Sequence, residues 1–517
     1  MKRYVIGIDI GGTNTDGVLV DDANNIVYAC KTRTTDPVED GFSAVLKKIF
    51  NETDISAEQV TGVFVGSTHA INAILQCKGL FKVGVLRLAG PAGKIIPPCF
   101  GWPQDLKDAI YASSSTVAGG YRCDGLEINA LDKEQVCQSI EDLLKKGAES
   151  FAVIGVYAPL KNDQELKVAK WIDDIAGKDF PVCLSSEVGG PGFIERENAT
   201  ILNASLKKTM KTGFENISAI AKKFDLHCPM YITQNNGTIM DLKDAIEFPV
   251  LTISSGPTNS FVGASKLSGK QDLIVADIGG TSTDVGIVLN GFPRRSVEST
   301  NIGGIPINFP MPDVISIAIG GGSYITVSLD GTVVIGPESA GRKIEDEAQS
   351  FGGEHLTLTD VAIVKGMVDI PNTDASKVKA EDEISTEAIA YVEKKLLKLK
   401  KKIAGKKKEL PFVLVGGGSL LLKKSDIAKV CIIPEHADVA NAYGAALAEI
   451  SGSVDTVVSL DDRKKMLDEL TKKATEVAIK KGADEKTTRV VNCEILPFNY
   501  IPGNLARVKI TVSGKRK

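Results

Sequence analysis

Apolar and polar positions divide the chain into short buried strands and amphipathic helices. Tyr4 to Asp9 is a β-branched run, Gly17 to Val20 is a second and Ile26 to Thr32 a third, separated by a Gly-Gly turn and by Asp21-Asp22-Ala23-Asn24-Asn25. That order predicts a β-meander with a glycine loop in its first hairpin. Helical spacing follows over Asp40 to Phe50, where Phe42, Val45, Leu46 and Ile49 share one face. Val60 to Gly66 reads as a buried strand and His69 to Gln76 as a helix. Val83 to Leu88 and Ala152 to Val156 are further strands, with a helix over Lys133 to Lys146 between them. The same grammar then resumes. Pro181 to Ser186 and Met230 to Gln234 are strand-like around a long helical stretch, Glu195 to Phe224, and a second meander opens at Asp272 to Asp277 and continues through Asp284 to Leu289. A hairpin about Asp330-Gly331 comes next, then an amphipathic helix carrying Ile389, Val392, Leu396 and Leu399. A strand over Phe412 to Val415 and an Ala-rich helix over Ala437 to Ile450 follow. The tail reads as a helix, Asp462 to Lys480, and two strands, Thr488 to Ile495 and Ala506 to Val512. Strands alternating with helices imply an α/β architecture.

One repeat organises this pattern. Residues 5–20 (VIGIDIGGTNTDGVLV) align without gaps on residues 273–288 (LIVADIGGTSTDVGIV). A duplication separated by about half the chain implies two similar domains facing each other, expected at residues 1–180 and 181–455, with a small αββ unit over 456–517. In each copy an Asp ends a buried strand, Asp9 or Asp277. Glycines 11 and 12, or 279 and 280, let the backbone turn and aim N–H groups at an anion. Thr13 and Thr15, or Thr281 and Thr283, add hydroxyl donors. A strand-end carboxylate does not bind phosphate itself, so Asp9 and Asp277 are expected to hold Mg²⁺. Two such hairpins across a cleft can grip the triphosphate of ATP. Gly416-Gly417-Gly418 follows a late buried strand and suits close approach to adenosine, whereas Gly320-Gly321-Gly322 reads equally as a ligand loop or a sharp turn. Neither Gly-x-Gly-x-x-Gly nor a Walker loop occurs at these hairpins.

Composition narrows the class. Among 517 residues, 43% are hydrophobic and 24% charged, which is globular chemistry, and the net charge of −4 argues against nucleic acid as partner. The basic run Lys394 to Lys408 reads as a solvated helix face. Nine cysteines without Cys-x-x-Cys spacing read as reduced thiols. No apolar stretch approaches the roughly 18 residues of a membrane span, and no leader precedes the first strand. The expected location is cytoplasmic.

These residues carry a resemblance to the hydantoinase/5-oxoprolinase family, A-type subunit, within the actin/chaperone-ATPase/sugar-kinase superfamily. DIGGTNTD is similar to that family's DIGGTFTD, Asp277 to Asp284 to its DMGGTSTD, and Ser254-Ser255-Gly256-Pro257 with Gly263-Ala264 to its SGPAGGVxGA segment. Ala318 to Ser323, Gly336 to Gly341, Glu195-Arg196 with Leu202-Asn203-Ala204, and Pro497 to Arg507 extend the likeness over nearly the whole chain. The resemblance implies two ribonuclease-H-like domains with ATP between them and ATP-dependent opening of a cyclic amide or ureide. It also implies a B-type partner subunit; a homo-oligomer is left open. A small-molecule kinase and a non-catalytic ATP-binding subunit use the same loops. The implied substrate contacts are Ser67, Thr68, Asn72, Glu195 and Arg196, with His69 as a candidate general base. The chain departs from the family at Gly66 to Ala73, where the histidine is shifted. It departs again at Ser185 to Val188, where a histidine is missing, and at Arg342 to Glu347.

Overall fold

The computed structural model describes residues 2–35, 37, 39–190, 192–296, 300–309, 311–329, 331–405, 409–498 and 504–517. Asp330 of the expected hairpin turn, residues 406–408 of the basic run and residues 499–503 of the tail motif lie outside the described residues.

The first meander forms as expected. Tyr4–Ile10 pairs antiparallel with Asn14–Asp21, which pairs antiparallel with Ile26–Arg33. Ile6, Ile8 and Ile10 are completely buried, because both faces of the central strand are covered. Val60–Ser67 joins Tyr4–Ile10 in parallel. The second meander repeats this: Leu273–Ile278 pairs antiparallel with Thr283–Leu289 and parallel with Phe412–Val415. Both halves therefore run meander first and parallel strand next, which is the two-domain α/β class read from the duplication.

The connectivity is richer than the repeat suggests. The first sheet has nine strands, and five of them come from Met230–Thr233, Thr238–Asp241, Glu449–Ser459, Arg489–Pro497 and Leu505–Gly514. The division at residues 180 and 455 cuts across this sheet, and the tail αββ unit is its extended edge. A separate four-stranded parallel sheet is built from Val83–Gly90, Tyr111–Ala118, Ser150–Gly155 and Val182–Leu184. The Ala-rich helix ends at Ala446, not at Ile450, and the chain turns into the eleven-residue strand Glu449–Ser459.

Two helices carry the chain between the sheets. Ser255–Ser268 leads from the first sheet to the second, and Ala440–Ala446 leads back. They cross in near contact: a Cβ on Gly263 would lie 1.9 Å from the Ala440 carbonyl oxygen, and one on Gly444 1.9 Å from that of Asn259. Only glycine permits that approach. The long helix Phe193–Lys223 runs beneath the first and third sheets and is clamped to the latter by a buried ion pair. Arg87 donates to both carboxylate oxygens of Glu197, at 2.5 and 2.6 Å, and to the carbonyls of Gly93 and Ile96.

Candidate functional site

The repeated hairpins meet at the ends of their strands. Asp9 stands opposite Asp16 in one, and Asp277 opposite Asp284 in the other. Directly opposed residues project from the same face of a strand pair, so each hairpin presents two carboxylates together. Asn259 Nδ2 donates to Asp9 Oδ1 at 3.0 Å. Asn441 Nδ2 bridges Asp9 Oδ2 and Asp16 Oδ2 at 3.0 and 2.9 Å, and Lys31 Nζ pairs with Asp16 Oδ1 at 2.5 Å. Asp284 accepts from Ser316, and Ser260 lies near Asp277 and offsets part of the rise in its pKa. The acidic cluster is electrostatically strained. Burial and the neighbouring Asp16 push Asp9 up to about 6, against hydrogen bonds from Asn259 and Asn441. Burial, Asp284 and Asp9 push Asp277 up to about 7. Carboxylates in that condition are relieved by a cation.

Glycines make room for both acids. A Cβ on Gly66 would lie 2.1 Å from Asp9 Oδ1, and one on Gly416 2.3 Å from Asp277 Oδ1. Gly66 lies within the parallel strand of the first half and pairs with Asp9, whereas Gly416 directly follows the parallel strand of the second, whose last residue Val415 pairs with Asp277, so a Val-Gly step beside the acid recurs in both halves. The sequence reading gave Gly416 an adenosine role and overlooked Gly66. Comparing Val65-Gly66-Ser67 with Val415-Gly416 would have found it. Gly417 is exposed with open space beside it, whereas Gly418 packs on Ile278.

The loops themselves are nests of N–H donors. The carbonyls of Gly11, Gly12 and Thr13 accept from Thr34 Oγ1, Arg342 Nε and Thr34 N. Those of Gly279 and Gly280 accept from the N–H groups of Gly321 and Gly322 at 3.0 and 2.7 Å. In a trans peptide the N–H points opposite the carbonyl. The N–H groups of Gly12, Thr13, Gly280 and Thr281 consequently face away from these supports, and they make no hydrogen bond among the described residues. Gly320 to Gly322 is thus a buttress of the second loop: a Cβ on Gly320 would lie 2.6 Å from the Gly280 carbonyl carbon.

Several expected ligand contacts are redirected. Thr15 is buried with its hydroxyl 3.0 Å from that of Thr34, and Thr283 is buried and donates to the Ile319 carbonyl at 2.6 Å. Strand alternation turns these two hydroxyls inward, leaving Thr13 and Thr281 at the loop tips. Arg196 is completely buried and donates to Ser185 Oγ and to the carbonyls of Gly155 and Gly190, so it secures the loop rather than meeting a ligand. Thr68 donates to the Ile10 carbonyl and accepts from Asn72, tying the His69–Gln76 helix to the strand that ends beside Asp9. His69 Nδ1 contacts Ser67 Oγ, its ring edge faces Gly213 of the long helix, and burial lowers its pKa. The imidazole is part of a packed helix–strand seam, with Nε2 buried and without a hydrogen-bond partner among the described residues. Glu195 is partly exposed and lines a separate cavity.

No group of three or more His, Cys, Asp or Glu side chains is arranged to hold a metal ion among the described residues. Asp9 and Asp277 still fit a hard divalent cation, since Mg²⁺ commonly takes one or two carboxylates and completes its shell with water and phosphate oxygens. No helix of the described residues is long and apolar enough to cross a membrane.

The chain is 27% identical over 388 residues to caprolactamase subunit alpha of Pseudomonas jessenii, covering 71% of this chain and 55% of that protein. It is 26% identical over 416 residues to the acetophenone carboxylase gamma subunit of Aromatoleum aromaticum, covering 73% and 56%. The chain thus spans little more than half the length of these relatives. Among solved structures, ATP-dependent caprolactamase from P. jessenii superposes with a TM-score of 0.76 at 20% identity, covering 99% of this chain and 88% of that one. Nucleotide-free acetone carboxylase superposes with a TM-score of 0.68 at 18% identity, covering 100% and 88%. Residues 5–176 match the hydantoinase/oxoprolinase N-terminal region and residues 196–410 match hydantoinase/oxoprolinase, so the chain belongs to the hydantoinase/oxoprolinase family.

Proposed function

We propose that this chain binds ATP with Mg²⁺ between its two glycine hairpins and uses the terminal phosphoryl group to open a cyclic amide or ureide. The observation that carries the reading is the doubled nest. Four N–H groups without a partner among the described residues, from Gly12, Thr13, Gly280 and Thr281, sit on two neighbouring loops whose strands carry four carboxylates. Thr13 and Thr281 add hydroxyls at the same loop tips, and Gly417 leaves room for the adenosine. Asp9 and Asp277 hold the cation, with Asn259, Asn441 and Ser260 fixing their orientation. Bound there, Mg²⁺ supplies neutralisation of charge on the phosphoryl oxygens.

The chemistry follows from amide resonance, which makes the ring carbon a poor electrophile. Transfer of the phosphoryl group to the amide oxygen, with release of ADP, turns that oxygen into a leaving group. Water then adds at carbon and the ring C–N bond breaks, which releases the amine and leaves an acyl phosphate. A second water cleaves the acyl phosphate, and the final products are a carboxylate, an amine and phosphate. The relatives are named as subunits, which supports a second protein completing the reaction with this chain. The free state of all nine cysteines fits a reducing, cytoplasmic setting.

The test is ATP turnover against a panel of hydantoins and lactams, followed by phosphorus NMR, with and without a co-expressed partner subunit. Free phosphate appearing in step with ring opening is the expected result. A stable phosphoester would identify a kinase instead, and tight ATP binding with no turnover under either condition would identify a binding subunit. Absence of MgATP binding by calorimetry would sink all of these readings.

A further inference from the structure

The tail strands bury one face and line a cavity with the other. Ala506, Val508, Ile510 and Val512 pack on the Arg463–Lys480 helix through Met466, Leu470, Ala474 and Ala478. The opposite face of an edge sheet would ordinarily meet solvent. Here it is covered, and register sets Lys509 between Asp455 on one neighbouring strand and Glu494 on the other. With Arg295, Asn308 and the Gln234–Asn236 turn it encloses two adjoining cavities of about 310 and 720 Å³. No residue of either glycine hairpin loop lines them.

The lining is charged in both senses and only partly satisfied. Arg507 grips Asp455 with two bonds, at 2.8 and 2.5 Å, and its guanidinium lies against Gly190, where a Cβ would be 2.5 Å away. Lys509 Nζ is 3.9 Å from the same Asp455, and burial together with Arg295 pushes it down to about 8. Arg295 Nη1 has no hydrogen-bond partner among the described residues; Glu494 Oε1, at 3.6 Å, is its ion-pair neighbour. Asn308 Oδ1 and Ser186 Oγ are also buried without partners among the described residues. Burying such groups unpaired costs about 1–3 kcal/mol each. An under-satisfied cationic pair thus shares a large cavity with the Glu195 carboxylate and an unused amide oxygen.

From this lining we infer that the cavity is a binding site for a small aminocarboxylate, whose carboxylate meets Arg295 and Lys509 and whose N–H donors meet Glu195 and the Asn308 oxygen. The ligand class is the one that ring opening of a cyclic amide generates, so the link to catalysis rests on the function proposed above; the binding itself does not. The site also joins two segments that the sequence set apart, the Ser185–Val188 region with its following glycines and the tail around Arg507.

The test is calorimetric titration of the full chain with 4-aminobutanoate, with butanoate and butylamine as half-ligands. We expect the aminocarboxylate to bind at least fivefold more tightly than either half-ligand. Arg295→Met and Lys509→Met should each weaken it at least tenfold and leave MgATP affinity within twofold. Circular dichroism checks that each variant is folded, and Arg295→Lys, which keeps the charge, should retain most of the binding. No heat at 10 mM 4-aminobutanoate, butanoate binding as tightly, or variants within twofold of the parent would each overturn the inference. Failure of ATP turnover would sink the proposed reaction while leaving this titration intact.

Discussion

At the residue scale, the acids of the cleft are defined by what is missing beside them. Gly66 and Gly416 leave the volume that Asp9 and Asp277 occupy, so Gly66→Ala should drive the Asp9 carboxylate from its bonds to Asn259 and Asn441. The expected result is a loss of MgATP affinity of tenfold or more, read by calorimetry, with a stability cost of about 1–3 kcal/mol for the overpacked site. Asp277 gives a pH signature. Its folded-state pKa of about 7 lies above the ordinary 3.8, so between these values the folded protein holds a proton that the unfolded chain has lost. Stability therefore falls as pH rises through that window. Asp277→Asn removes the titration, and the variant should gain on the parent by on the order of 2–3 kcal/mol between pH 5 and pH 8 in urea denaturation without nucleotide. A gap that does not change with pH would show that Asp277 ionises normally. The sequence announced these acids because a strand-end Asp before Gly-Gly-Thr occurs twice. It could not announce that Thr15 and Thr283 turn inward or that Arg196 is consumed by carbonyls, since both outcomes depend on neighbours distant in sequence.

At the element scale, legibility followed burial. The meanders and the strands Val60–Ser67 and Phe412–Val415 are continuous apolar runs, and such runs are visible in sequence. Tyr111–Ala118 (YASSSTVA) and Glu449–Ser459 (EISGSVDTVVS) were missed because serine, glycine and aspartate interrupt their pattern. Glu449–Ser459 is held by sheet neighbours on either side and Tyr111–Ala118, an edge strand, by Val83–Gly90 alone, rather than by their own propensity. The clamp that fixes the helix Phe193–Lys223 to the four-stranded sheet is an ion pair with no periodic signal. Arg87→Met should leave Glu197 charged and unpaired in the interior, at a cost of about 3–5 kcal/mol, whereas the double replacement with Glu197→Leu should recover much of that loss. Thermal unfolding of the single and double variants measures the difference, and a single variant as stable as the parent would contradict the assignment.

At the scale of the whole molecule, two contacts join the halves across the mouth of the cleft. Arg342 donates to the Gly12 carbonyl at 2.5 Å, and Arg33 pairs with Asp346 at 3.4 Å. Both involve the segment where the chain departs from its family's pattern. Arg342→Ala should speed release of a fluorescent ATP analogue several-fold in stopped flow; an unchanged rate would mean that the contact does not hold the halves together. The paired hairpins were legible from the repeat, but the nine-stranded sheet was not, because pairing such as that of Thr238 with Glu449 joins strands far apart in sequence and leaves no local trace. The helix crossing has a further meaning. Gly263 meets Ala440 while Gly444 meets Asn259, and each glycine stands four residues after the residue that the other touches. The next residues match too, with Ser260 beside Asp277 and Asn441 bonded to Asp9. Reciprocity of that kind is the signature of an isologous contact. The two helices therefore cross about a local pseudo-dyad, and a side chain added at either glycine would open the same contact from opposite sides of that axis.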